Sequence, residues 1–166
     1  MLAGTIPLEI DIPSSDLDIL CEVYDVAPYA ATLKNLYGHL PAFEQKTKDL
    51  NGVISHISRF TIHASFNTAE FPDYSNVTEA PFPVEIVAQP IPSVRHRAFL
   101  HLCAEVRLLT LGGDPARAAI RALKVSGVKT EPAFGQYFGL EGDPYQVLLD
   151  LVEGDDPDGE KRFFRD

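Results

Sequence analysis

Three acidic residues carry the chemistry open to this sequence. Asp16 and Asp18 lie two apart in SSDLDILCEV, where Leu17, Ile19, Cys21 and Val23 alternate with Asp16, Asp18, Leu20 and Glu22. A period of two marks a strand, and strand residues i and i+2 project from one face. Unit charges about 4 Å apart near a protein surface repel by about 4 kcal/mol, so two such carboxylates call for a cation. Oxygen-only donors suit magnesium or manganese rather than zinc. Glu85 is the third acid, set inside the apolar run Val84-Glu85-Ile86-Val87, where a lone carboxylate is costly to bury. If its strand neighbours the Asp16/Asp18 strand, three carboxylates converge as in metal-assisted displacement at phosphorus. An ion pair with an arginine such as Arg59 is the other reading of Glu85.

Gly4-Thr5 closes a short first strand. A glycine there lets backbone N–H groups approach a phosphate without a Cβ in the way, and the Thr5 hydroxyl donates to the same oxygens. The order Gly4-Thr5, ten residues, then Asp16-Leu17-Asp18-Ile19, with Val84-Glu85-Ile86 on a later strand, resembles the signature of the nucleotidyltransferase superfamily, the DNA polymerase beta-like fold. The match covers roughly residues 2–89, and its most specific local part ends in Ser15-Asp16-Leu17-Asp18. The resemblance implies Asp16, Asp18 and Glu85 as catalytic residues and ligands of Mg²⁺ or Mn²⁺, with Gly4, Thr5 and Ser15 at the nucleotide. It also implies a basic residue from the helical half on the phosphates, for which Lys129 in VKTEPAF is the candidate. The implied partners are a nucleoside triphosphate and a small-molecule or protein acceptor with a hydroxyl. Thr5 stands where the superfamily has serine and keeps the hydroxyl. Superfamily members carry a helix and a full strand before the glycine. Three residues precede it here, so the sheet edge is expected to lack that element, and self-association through that edge is one expectation. At a finer level, GTIPLEIDIPSSDLDI with GVKTEPAFGQYFGLEGDPY resembles the uncharacterised bacterial domain-of-unknown-function family 4269 over nearly the whole chain, which implies no activity.

The elements that must position these residues follow from periodicity. Residues 6–15 hold two prolines and two serines and read as a turn-rich connector. Residues 27–39 show helical spacing ended by Gly38, and 41–51 are expected to continue as a short polar helix. Asn51-Gly52 signals a turn into a long strand, VISHISRFTIHASF. Residues 67–82 read as an exposed loop and 82–89 as a short strand. Beyond Pro92 the period becomes helical. One helix carries Phe99, Leu100, Cys103, Val106 and Leu109 on its face and ends at Gly112-Gly113. Three more open at Asp114-Pro115, at Thr130 and at Asp143-Pro144, before a charged tail. The expected fold is α/β (α+β): a nucleotidyltransferase-like mixed sheet with flanking helices over 1–92, a helical part over 93–153 and a tail over 154–166.

Composition bounds the function. The 166 residues carry 14 Lys+Arg against 24 Asp+Glu, a formal charge of -10. Such a surface repels phosphate backbones and disfavours generic nucleic-acid binding. No apolar run approaches the ~18–20 residues of a membrane span, and no basic-then-apolar leader is visible, so the expected compartment is the cytoplasm. Two distant cysteines and five histidines without ligand spacing offer neither a disulfide framework nor a zinc site. Ser14 and Ser15 have no nearby base, so no nucleophile is indicated. The expected function is metal-dependent transfer of a nucleoside monophosphate to an acceptor hydroxyl. The alternatives are a phosphohydrolase using the same carboxylates and a non-catalytic nucleotide-binding or interaction module.

Overall fold

A computed structural model describes residues 1–63 and 81–153. Most of the loop expected over 67–82 and the tail expected over 154–166 lie outside the described residues. Two compact units form. One comprises Met1–Leu2 with Asp16–Pro92, the other Ala3–Ser15 with Ser93–Asp166.

The first unit is a five-stranded mixed sheet in the order β1-β2-β5-β4-β3. Its strands are β1 (Leu2–Ala3), β2 (Leu17–Glu22), β3 (Glu44–Leu50), β4 (Val53–His63) and β5 (Pro81–Gln89). β2 and β5 are parallel, while β4 pairs antiparallel with both β5 and β3. The β3–β4 connection is a two-residue hairpin: Leu50 pairs Val53, and Asn51 and Gly52 take φ of 55° and 86°. Those left-handed values match the twist of the flanking strands and explain the Asn-Gly pair.

One face of the sheet is apolar. Leu33 of α1 (Val26–Tyr37) joins Phe60, Val84 and Ile86 in a core, with Leu17, Ile19, Cys21, Tyr29 and Tyr37 packed against it. The Tyr37 and Phe60 rings stack at 4.7 Å between centroids. The alternation of side chains therefore sends Asp18 and Glu85 to the other face.

The sequence expectation of a helix within 41–51 is overturned. Glu44–Leu50 is an edge strand, and its residues are exposed or half-buried. With one neighbour and mostly polar side chains it lacks an alternating apolar signal. Its charges also suit an edge, where they discourage pairing with other chains.

The second unit is helical: α2 (Arg97–Val125), α3 (Thr130–Phe138) and α4 (Pro144–Glu153). The break expected at Gly112-Gly113 is present: Gly113, at φ 60° and ψ -155°, is non-helical and separates two helical segments within Arg97–Val125. Pro115 lies beyond it in the first turn of the continuing helix. The core contains Leu108, Leu109, Ile120, Phe134 and Leu148, joined by Leu8 and Ile10 from the connector. Of the face expected for α2, Leu109 is buried and Leu100 and Cys103 pack against the core. His101, Ala104, Glu105, Leu108 and Leu109 are buried, while Val106 is exposed. Among the described residues no helix is long and apolar enough to cross a membrane.

The Gly113 backbone lies in a region that is essentially closed to residues with a Cβ. Gly113→Ala is expected to destabilise the chain by about 1–3 kcal/mol, measured as a lower urea midpoint at unchanged slope. A neutral substitution would contradict the kink.

Candidate functional site

The acids of the sheet are positioned by register. Asp18 pairs Glu85 across β2 and β5, and Glu85 pairs Arg59 across β5 and β4. Arg59 in turn pairs Glu44 across β4 and β3. Directly opposed residues share a face, so Asp18, Glu85, Arg59 and Glu44 form one row across four strands. Asp16 precedes the row, just ahead of β2 and half-buried.

The contacts within the row are ionic. Arg59 donates from Nε to Glu85 Oε2, and its Nη2 pairs with the same oxygen. Its Nη1 lies 3.8 Å from Glu44 Oε1, and Lys46 Nζ lies 3.6 Å from that oxygen. The Glu85 side chain is 17% exposed, against 47% for Arg59 and 54% for Glu44. Among the described residues no group of three or more His, Cys, Asp or Glu side chains is disposed to hold a metal ion. Glu85, the third of the expected ligands, is turned to Arg59.

The other candidates belong to the helical unit. Gly4 has φ 71°, a value that favours glycine, and precedes a 3-10 turn at Ile6–Leu8. Thr5 Oγ1 donates to Ser15 Oγ at 3.3 Å, and the Ile12 N–H donates to that Ser15 oxygen at 2.9 Å. The Thr5 carbonyl accepts from the N–H groups of Leu8 and Ile10. The two hydroxyls thus meet and close the connector on itself. Lys129 is exposed at the N-cap of α3, where its carbonyl accepts from Ala133 N–H.

The sheet unit therefore brings Asp18 and Glu85 together with Arg59, and the helical unit brings Thr5 together with Ser15. A family model described as Domain of unknown function (DUF4269) matches residues 1–151. The chain belongs to that family. No curated protein and no solved structure matches it.

Several groups in this DUF4269 chain escape sequence reasoning. Lys124 is buried and donates from Nζ to the Ile10 carbonyl at 2.9 Å, and Arg121 Nε donates to the Asp11 carbonyl at 2.9 Å. These cations, one helical turn apart, tie the connector to α2. Glu105 is 4% exposed. Its burial, reinforced by Glu131 and opposed by Lys124, raises its pKa well above the ordinary 4.5. Burial also works against the charge of Glu131. There the hydrogen bond with His101 and the residue's own N–H outweigh it and hold the carboxyl low. His101 Nδ1 lies 3.4 Å from Glu131 Oε1, and its Nε2 lies 3.0 Å from the Tyr145 carbonyl. The signal for Glu105 was its spacing of four from both His101 and Leu109. Burial pushes the Cys103 thiol up to about 11, so it remains a protonated packing residue.

Glu105 titrates higher in the fold than in the unfolded chain, so the native state holds the extra proton. Stability is then present below pH 4.5 and declines as pH rises toward the folded pKa. Glu105→Gln, a mimic of the protonated form, is expected to match the parent near pH 4 and exceed it at pH 8 in thermal melts. A variant less stable than the parent at pH 8 would contradict a protonated Glu105.

Proposed function

We propose that this DUF4269 chain is a nucleotidyltransferase that moves a nucleoside monophosphate from a nucleoside triphosphate to an acceptor hydroxyl. The observation that supports the reading is register: Asp18 stands opposite Glu85 on one sheet face, with Asp16 two residues earlier. The donor set suits Mg²⁺ or Mn²⁺ in chemistry, being all carboxylate oxygen, while among the described residues its side chains are not disposed around an ion, Glu85 being paired with Arg59.

Asp16, Asp18 and Glu85 would hold the ion, which when bound supplies charge neutralisation to the triphosphate. Glu85 would also accept the proton of the acceptor hydroxyl. Gly4, Thr5, Ser15 and Lys129 belong to the helical unit, and their role as phosphate donors is proposed on the superfamily resemblance. Rate would come from in-line positioning and preorganised charge, with no covalent intermediate on the protein.

One observation favours a second reading, a non-catalytic nucleotide-binding or interaction module: the ion pair that holds Glu85 to Arg59. Pyrophosphate release from each of the four ribonucleoside triphosphates with Mg²⁺ and a panel of hydroxyl acceptors separates the two. The wild type is expected to turn over. Asp16→Asn/Asp18→Asn is expected to lose at least about a hundredfold, the order lost with one charge-stabilising group. Nucleotide binding without turnover would assign the module. Turnover without any acceptor would assign a hydrolase, and equal behaviour of both proteins would end the reading.

A further inference from the structure

The sheet face under α1 is not wholly apolar. His56 alternates with Ser58 and Phe60 along β4, so its side chain belongs to the face on which Leu33 of α1 meets Phe60. It is 7% exposed, and neither ring nitrogen has a hydrogen-bond partner. The Tyr29 ring, in the first turns of α1, meets it edge-on at 6.3 Å between centroids.

Nothing packed around His56 is placed to match a positive charge. The residue opposed to it on β5 is Ala88, with Cys21 of β2 beyond, and on β3 it is Thr47. Burial, with Cys21 beside it, keeps the Tyr29 hydroxyl in its neutral form. Asp49 lies on the same face of β3, but its Oδ1 accepts from the Gly52 N–H at 2.6 Å. Asp25 is exposed ahead of α1, and Lys34 is exposed in its last turn. The end of α1 that carries Tyr29 is the N-terminal one, where the helix dipole is positive and disfavours a cation. An imidazolium donates from both nitrogens, and here it would be buried with neither proton accepted. Burial accordingly lowers the pKa of His56 from the ordinary 6.5.

The helix over this ring has few anchors. Leu33 is its buried residue, Tyr37 stacks on Phe60, and Gln45 Nε2 donates to the Ala30 carbonyl at 3.0 Å. Elements with so little buried surface open before the sheet they cover.

We propose that His56 makes the packing of α1 on the sheet proton-sensitive: acidification through the histidine range releases α1 and uncovers Phe60, Val84 and Ile86, while the pairing of β4 with β5 persists. The inference is independent of the nucleotidyltransferase reading, because His56 lies on the face opposite Asp18 and Glu85. The sign follows from linkage. The released state binds the proton more tightly than the packed one, so packing is at full strength above pH 6.5 and weakens as pH falls below it.

Amide hydrogen exchange of the full chain at pH 7.5 and 5.5, corrected for intrinsic exchange rates, reads the release residue by residue. Protection of residues 30–37 is expected to fall about tenfold between the two, the factor for one proton taken up on opening, while the central amides of β4 and β5 keep theirs. His56→Gln, neutral at both pH values, is expected to show the same α1 protection at both. His56→Phe is a second neutral variant should the amide disturb folding. Protection of α1 that does not change with pH in the wild type, or that falls as far in the neutral variants, would overturn the proposal. An equal fall in β4 and β5 would also overturn it, because the sheet unit would then be opening as a whole.

Discussion

Carboxylates opposed across neighbouring parallel strands repel unless a cation shares them, and this sheet sets Asp18 against Glu85 in register. The repulsion, about 4 kcal/mol for charges 4 Å apart at a protein surface, explains why a row with three acids also contains Arg59. It also explains the division of faces. The face under α1 takes Phe60, Val84 and Ile86. On the other face the charged row lies beside a row of Leu20, Val87 and Ile57, of which Leu20 and Ile57 are buried, and the parallel pairing of β2 with β5 aligns both. A slip of one residue in that pairing would send Glu85 to the apolar side. Register thus serves both packing and the site.

The connector is governed by the helical unit in a comparable way. Leu8 and Ile10 are buried in its core, Lys124 and Arg121 bind the carbonyls of residues 10 and 11, and the Thr5 and Ser15 hydroxyls meet. A segment rich in proline and serine is thereby held in one conformation by two basic residues from a single helix. Buried Lys124 in turn has Glu105 in its field, so the polar groups at the centre of the helices are coupled to the connector that the candidate phosphate-binding residues occupy.

Much of this was legible in the residues. Alternation gave away β2, β4 and β5, and Asn51-Gly52 marked the hairpin. Gly112-Gly113 followed by Asp114-Pro115 marked the break between the two helical segments of α2. What failed to show had physical reasons. β3 is polar along nearly its whole length because an edge strand is fully paired on one side only, so its period of two had no apolar half to reveal it. The buried stripe of α2 is wider than its apolar residues showed because its members include His101 and Glu105, polar residues kept inside by partners elsewhere in the helical unit. Glu44 was invisible as a partner of Arg59 because its segment read as helix. Asp16, Asp18 and Glu85 stood out through spacing and context. That Arg59 binds the third acid was one of two open readings, and only the side-chain geometry chose between them.

The proposed function makes Asp16, Asp18 and Glu85 a place for a divalent cation. Its most direct test is Mn²⁺-induced broadening of the backbone amide resonances in the isotope-labelled full chain. The account predicts selective loss of the signals of residues 16–18 and 84–86 at low Mn²⁺ occupancy, reversed by excess Mg²⁺. Broadening spread evenly over the acidic surface, with those six amides no more affected than Asp114 or Asp150, would contradict it.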